Sequence, residues 1–347
     1  MREISPPESF PLVTEPATIS SIAVIVVNYG TADLAVEAVD SVLVRHHGSR
    51  QVEVHLVDNA SPGDDADRFR TEHVERGWGS WVTLHLEAVN HGFGRGNNIV
   101  LEELLDRPDG PDAVFLLNPD ARLENEAIDL LAQRLEADAG LGFAGAGISL
   151  PDGTAVTAAF RFPSIPGEFS QALAFGPVAR AMARWQVPLP PDLAESDVDW
   201  VAGAAVMMRT EMLRQIGTFD PGFFLYFEEV DLMRRGALGG WRCRYVPEAR
   251  VVHVEGASTD VKSGRPELKR HPSYRYHSWS RYFVKTHGRL GAGMAAAAAL
   301  IGSAGHQVIA RLRRRPPGTV PHFFPDFWTH AARPILAPDR SEDGAGR

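Results

Sequence analysis

The chain of 347 residues is long enough for one large domain or two ordinary ones, and 44% hydrophobic with 23% charged residues is the composition of a globular protein. A formal net charge of -9 argues against a phosphate backbone as the main ligand, which would require a basic face, so nucleic acid is not expected as a partner. One cysteine, Cys243, allows no intramolecular disulfide and no thiolate metal cluster, and fits a reducing, cytoplasmic setting.

Residues 1 to 20 are Pro-rich and polar, lack the continuous apolar core of a secretory signal, and read as a loose arm. From there short β-branched runs alternate with helical patterns. Strands are expected over 21 to 29, 51 to 59, 81 to 89 and 113 to 118, and helices over 32 to 45, 64 to 75, 95 to 105 and 124 to 137. Such alternation predicts right-handed βαβ units and an α/β fold with a mostly parallel central sheet flanked by helices.

Gly-rich extended segments over 141 to 162 precede a Pro-containing stretch, 163 to 198, that reads as a loop-rich linker or an insertion on the acceptor side. Next, "VDWVAGAAVMMRTEMLRQIGTFD" predicts a strand pair and a short helix over 210 to 216. "YFEEVDLMRRGALGGW" predicts a helix stopped at Gly239 and Gly240, and "CRYVPEARVVHVEG" two short strands. Residues 273 to 286 read as a helix rich in Tyr, Trp and Arg, its aromatic cluster as packing; Cys243 beside Trp241 reads as a core thiol. The segment 290 to 310 has no Lys, Arg, Asp or Glu, and Arg289, Arg311, Arg313, Arg314 and Arg315 flank it. Its length approaches that of a membrane span, but Ala and Gly supply little hydrophobicity. Three readings stand: a helix packed on the body or a partner, an interfacial helix whose basic end (290 to 315) meets anionic lipid, or a span.

Ligands of parallel sheets sit beyond the carboxyl ends of the strands. Three predicted strands end in polar tripeptides, Asn28-Tyr29-Gly30, Asp58-Asn59-Ala60 and Asn118-Pro119-Asp120, which share one sheet edge. In "FLLNPDAR" Pro119 cannot donate to the ladder, so the strand ends and Asp120 falls in the turn. Alone, Asp120 fits a turn acid capping the next helix as well as a ligand of Mg2+ or Mn2+, which favour carboxylates beside substrate phosphates. His253, at the end of an apolar strand, is by itself an ordinary structural histidine, yet its imidazole could complete a metal site with Asp120. Glu228, Glu229 and Asp231 stand where a helix begins, and complementing the helix dipole accounts for two of them. The aromatic run Phe223, Phe224, Tyr226 and Phe227 before them points further, because an apolar surround raises a carboxylate's pKa towards that of a general base.

Taken in order, "VIVVNYGTADLAVEAVDSVL", "VHLVDNAS", "NHGFGRGNN", "FLLNPDA", "VDWVAGAAVMMRTEMLRQIGTFDPGFFLYFEEVDLMRR" and "VVHVEGAS" resemble the inverting nucleotide-sugar glycosyltransferases of family 2, and most closely their rhamnosyltransferase-like branch. The resemblance covers about residues 21 to 258. It implies a GT-A fold: a catalytic domain over 21 to 260, with a nucleotide half at 21 to 122 and an acceptor and catalytic half at 140 to 260, then a C-terminal helical extension and tail over 261 to 347.

It further implies that Asn28, Tyr29 and Asp58 hold the nucleotide, Asp58 on the pyrimidine base, with Arg95 and Asn97 near the nucleotide and its phosphates. Asn118 stands at the first position of the family's Asp-x-Asp motif, Asp120 resembles the acid that ligates the cation, and His253 the later metal-binding histidine; Asn in place of Asp leaves metal dependence open. Glu228-Glu229 stands at the family's Glu-Asp pair, which puts Glu229 first as base and Glu228 second, with Asp231 behind them. Asp199 and Trp200 resemble an acceptor or donor-sugar wall, where Gly203 allows close backbone approach. The implied reaction moves a sugar, from dTDP-rhamnose first and a UDP-sugar next, to a saccharide or lipid-linked glycan of the cell envelope, with Mg2+ or Mn2+. It would run in the cytoplasm, with peripheral contact at the inner face of the membrane and self-association both open.

Rival readings are weaker on specific residues. A dinucleotide oxidoreductase would need a third Gly where Asn97 stands, and its loop after the first strand. A nucleotidyltransferase would show a basic triphosphate loop, but "NYGTADLAVE" has no Lys or Arg. A catalytically inactive binding or scaffold protein need not keep Asp120, His253 and the acids at 228, 229 and 231. Arg281 and Lys285, one helical turn apart, are candidates to face a lipid diphosphate.

Overall fold

The computed structural model describes residues 18–254, 269–316 and 318–337. The expected arm before residue 18, the end of the motif after Val254 and the tail from 338 lie outside the described residues.

Strands β1 (Ser21–Asn28), β2 (Gln51–Asp58), β3 (Val82–Leu86) and β4 (Ala113–Leu117) form a parallel block in the order β3-β2-β1-β4. Helices α1 (Ala32–Leu43), α2 (Asp65–Glu75) and α3 (Phe93–Asp106) connect them. Side chains alternate across the sheet, so β1 sends Ile22, Val24 and Val26 into one core and Ala23, Ile25 and Val27 into the other. The first core is covered by α1, the second by Val100, Leu101 and Leu104 of α3. A strand buried on both faces reads as a continuous apolar run, which is why β1 and β4 are so plain in the sequence.

The chain continues through β5 (Ala121–Leu123), α4 (Ala127–Ala137), β6 (Leu141–Ser149), β7 (Ala155–Val156), β8 (Ala159–Phe160), α5 (Ile165–Leu173) and α6 (Gly176–Ala181). It then forms β9 (Ser196–Val198), β10 (Trp200–Val201), β11 (Ala205–Arg209), α7 (Thr210–Ile216), α8 (Glu228–Leu238) and β12 (Arg242–His253). The sheet extends from β4 through β11, β6, β12 and β5, with β11 antiparallel to both neighbours and β12 parallel to β6. Last come α9 (Ser273–Leu312), kinked at Gly288 with φ 66, α10 (Phe323–Phe327), a π-helical turn at Trp328–Ala332 and α11 (Arg333–Leu336). They close a third core around Phe223, Tyr282 and Phe283.

Three local expectations are corrected. The stretch 163 to 198 is not only loop: Ser164 caps α5 by accepting from the Gly167 N–H at 3.3 Å, with a Pro in the first turn, a helix start that the surrounding prolines obscure. The two strands expected after Cys243 are one, β12, whose register against β6 shifts between Val246 and Arg250, where Pro247 has no N–H to give the ladder. The strands around Gly203 do not pair with each other, since β10 pairs with β8 and β11 with β4 and β6.

Candidate active site

The ends of β1, β2 and β4 share one edge, as parallel pairing requires. Asn28 is fully buried there and spends its amide on the protein. Its Nδ2 donates to Asp58 (3.2 Å) and Asp65 (2.8 Å), and its Oδ1 accepts from the Thr31 hydroxyl (2.8 Å). Ser61 completes the tie, accepting from the Gly30 N–H at 2.8 Å and donating to Asp58 at 2.5 Å. Asn28 is therefore placed to fix the loops beneath a ligand, whereas Tyr29 is 46% exposed at the edge. Ser61 and Asp65 went unnoticed in the sequence, though "DNAS" after a buried strand, with Ala60 at φ 58, is the local signal of a constrained loop.

The loop before α3 is bound to this edge. Asn59 donates to the Gly92 carbonyl at 3.1 Å and accepts from the His91 N–H at 3.0 Å. Gly92, at φ 76, lies so close to the 219 to 227 loop that a Cβ there would sit 1.9 Å from the Phe224 carbonyl oxygen. Arg95 is exposed in the first turn of α3, while Asn97 is 1% exposed and donates back to the Phe93 carbonyl. Asn98, not singled out in the sequence, brackets Phe219 by donating to its carbonyl (2.8 Å) and accepting from its N–H (3.0 Å).

At one corner of the edge stand Asn118, Asp120 and His253. The turn after β4 leads into β5, whose antiparallel pairing with β12 sets His253 against Ala121. The His253 imidazole Nε2 thereby lies 2.9 Å from Asp120 Oδ1 and 3.3 Å from the Asn118 amide. Asp120 is 6% exposed. A carboxylate oxygen and an imidazole nitrogen at this separation are compatible donors for Mn2+ or Mg2+. Among the described residues no group of three His, Cys, Asp or Glu gathers to hold an ion alone, so the pair fits a cation completed by substrate oxygens.

At another corner α8 begins with Glu228 and Glu229. Tyr226 and Phe227 before them both adopt left-handed geometry, φ 71 and 69, at a cost of roughly 1 kcal/mol or more each for non-glycine residues. The Glu228 Cβ packs 3.4 Å from the position of a Cβ on Gly94, and the Glu229 Cβ 3.7 Å from that on Gly203. Each carboxyl has one buried oxygen with no hydrogen-bond partner among the described residues. Burial raises both pKa values, and the charge of Glu229 raises that of Glu228 further. Glu228 is 3% exposed, and both carboxyls bind a proton more tightly than a carboxylate in water. Asp231 is held elsewhere, paired with Arg235 at 3.0 Å and Lys285 at 2.7 Å.

Trp200 stacks on Phe160 with centroids 4.1 Å apart and donates to the Arg161 carbonyl, making it part of a wall. Asp199 accepts from the Phe162 N–H at 2.7 Å. Arg281 and Lys285 are exposed and both pair with Asp220, at 2.7 and 2.5 Å, holding its carboxyl well below the usual carboxylate range. On the far side of Phe227 a cavity of about 340 Å³ lies between α5, both halves of α9 and α10, lined by Phe227, Arg275, Tyr276, Trp279, His306 and Glu168. Glu168, also missed in the sequence, accepts from the Trp279 indole at 2.9 Å and burial pushes its pKa up to about 7.

The sequence profile of the family described as "Glycosyltransferase like family 2" matches residues 19–265. The N-acetylglucosaminyl-diphospho-decaprenol L-rhamnosyltransferase of Mycobacterium tuberculosis (strain ATCC 25618 / H37Rv) is 30% identical over 220 residues, 60% of this chain and 69% of that protein. Rhamnosyltransferase WbbL of Escherichia coli (strain K12) is 28% identical over 198 residues, 54% of this chain and 70% of that one. Among solved structures, GalNAc-T7 with UDP, GalNAc and Mn2+ superposes with a TM-score of 0.54 at 14% identity, over 92% of this chain and 56% of that one. The mannosyltransferase PcManGT from Pyrobaculum calidifontis, solved with GDP-Man and Mn2+, gives 0.50 at 16% identity, over 91% and 84%. The two structures speak to the fold, which is the GT-A type with a C-terminal helical extension; the profile and the relatives speak to the family, and the chain belongs to glycosyltransferase family 2.

Proposed function

We propose that this glycosyltransferase moves a rhamnosyl group from dTDP-rhamnose to a saccharide or lipid-linked glycan acceptor of the cell envelope, in the cytoplasm, with inversion at the anomeric carbon. The observation that carries the mechanism is the pair at the start of α8, two carboxyls each with a buried oxygen that has no hydrogen-bond partner among the described residues and a pKa raised by burial, of which we take Glu229 as the base. The acceptor hydroxyl oxygen forms a bond to the anomeric carbon as the bond from that carbon to the diphosphate oxygen breaks. The electron pair leaves with the diphosphate and the hydroxyl proton passes to Glu229. Glu228 lies beside the base in the same desolvated surround, and Asp231 holds Arg235 and Lys285 for the fold. Nothing covalent forms on the protein.

Asp58 and Tyr29 sit on the nucleotide side of the edge, with Arg95 at the mouth and Asn28 and Asn97 positioning from beneath. Asp120 and His253, with the Asn118 amide beside them, would hold a divalent cation, which would supply positive charge to the leaving diphosphate. Trp200 and Gly203 shape the sugar side. The relatives named for rhamnosyl transfer support the donor, and the name of the mycobacterial one supports a lipid-linked acceptor. Calorimetric titration with dTDP, UDP and GDP, each with Mn2+ or with chelator, tests the reading. Binding of dTDP that chelator weakens is expected; dTDP binding indifferent to chelator, or a preference for GDP, contradicts it.

A further inference from the structure

Beyond Gly288, α9 has two different apolar faces. Ala292, Ala295, Ala296, Ala299 and Gly302 are buried against the body, and α5 comes so near that a Cβ on Gly302 would meet the Phe169 carbonyl oxygen at 2.7 Å. On the other side Leu290, Met294, Ala297, Ile301, Val308 and Leu312 share one helix face at spacings of three, four and seven residues. They stand bare: Leu290 is 81% exposed, Ile301 63% and Leu312 79%. The stripe is about 33 Å long at 1.5 Å per residue. Arg289 donates to the Ala337 carbonyl, which brings Leu336, 65% exposed, to the start of the stripe. A continuous apolar surface of this length marks a contact, not ordinary surface.

Charge identifies the partner. Residues 268 to 325 contain ten Lys and Arg and no Asp or Glu, in a chain of net charge -9. Some are engaged within the fold: Arg270 with Asp326, Arg281 and Lys285 with Asp220. Arg311, Arg314 and Arg315 are exposed at the end of the stripe, and no carboxylate pairs with them among the described residues. A second copy laid stripe to stripe in parallel would set this cluster against itself, like charge on like charge. A membrane span would tear the small residues of the inner face from α5. We propose that α9 lies along an anionic lipid surface, with the stripe in the headgroup and acyl boundary and Arg311, Arg314 and Arg315 on lipid phosphates. The site of transfer is then held beside the membrane, whichever sugar it moves.

Flotation of the full chain with vesicles decides the matter. Phosphatidylcholine mixed with phosphatidylglycerol should carry the protein upward, pure phosphatidylcholine much less, and high salt should weaken the binding. Ile301→Glu with Val308→Glu should abolish flotation, and Leu290→Ser with Met294→Ser should reduce it in case the first pair folds poorly. Arg311→Gln, Arg314→Gln and Arg315→Gln together should lower vesicle affinity by about tenfold or more. Wild-type protein that ignores anionic vesicles overturns the proposal. So does binding that all these variants retain, or a dimer that Ile301→Glu with Val308→Glu splits while vesicle binding is unchanged.

Discussion

Asp120, at the turn after β4, and the Glu228-Glu229 pair, at the start of α8, have opposite surroundings. At the turn after β4, Asp120 has a histidine nitrogen 2.9 Å from its carboxylate. At the start of α8, Glu228 and Glu229 each keep a buried oxygen without a donor among the described residues, beside glycines and aromatic rings. A carboxyl that has lost water without gaining a hydrogen-bond donor binds a proton more tightly, as at the start of α8. In the proposed reaction the Asp120 corner would meet the charge on the leaving diphosphate and the α8 pair would supply the base for the incoming hydroxyl.

The comparison breaks most completely at Glu229. Glu229→Gln preserves shape and should retain donor binding while transfer falls by about a hundredfold to ten-thousandfold, read from turnover beside calorimetric donor binding. Because burial raises this carboxyl and the base acts ionised, wild-type kcat/KM should fall on the acid side at a pH above the usual carboxylate range. At the other corner, His253→Ala or Asp120→Ala should weaken Mn2+-dependent dTDP binding by about tenfold to a hundredfold, leaving the binding measured with chelator little changed.

The smallest effects concern stability, and they sharpen the contrast between buried acids and paired ones. Glu168 has its pKa raised from 4.5 to about 7, so its protonated form contributes stability that is fully present below the unfolded value and lost as pH rises through the folded one. Wild-type stability should decline between those two pH values, and Glu168→Gln should flatten the decline by the order of 2 kcal/mol, measured by urea unfolding across pH. Glu228→Gln should act in the same direction, gaining stability at neutral pH and keeping transfer within about tenfold of wild type.

Much of the strand edge was legible because β1, β2 and β4 are apolar runs that stop at polar residues, and parallel pairing leaves those stops side by side. The pairing of Asp120 with His253 was open as one alternative from their chemistry and was implied by the resemblance, but its geometry was not legible, since the antiparallel pairing of β5 with β12 joins residues 133 apart in sequence. The hydrogen-bond partners of Asn59, Ser61, Asp65 and Asn98 were not legible, because single polar residues do not announce which groups they will satisfy. In α9 composition shows apolar residues all round; only packing on α5 separates a covered face from a bare one. Arg281 and Lys285 looked free in sequence because Asp220, which engages both, comes from a loop about sixty residues earlier.

Single-turnover transfer from dTDP-rhamnose by Glu228→Gln and Glu229→Gln, run side by side with wild type across pH, tests the division of labour most directly. The account predicts that Glu229→Gln loses transfer at every pH with donor still bound, while Glu228→Gln keeps both transfer and the acid limb of the profile. Loss of transfer in Glu228→Gln with near-normal transfer in Glu229→Gln would contradict it.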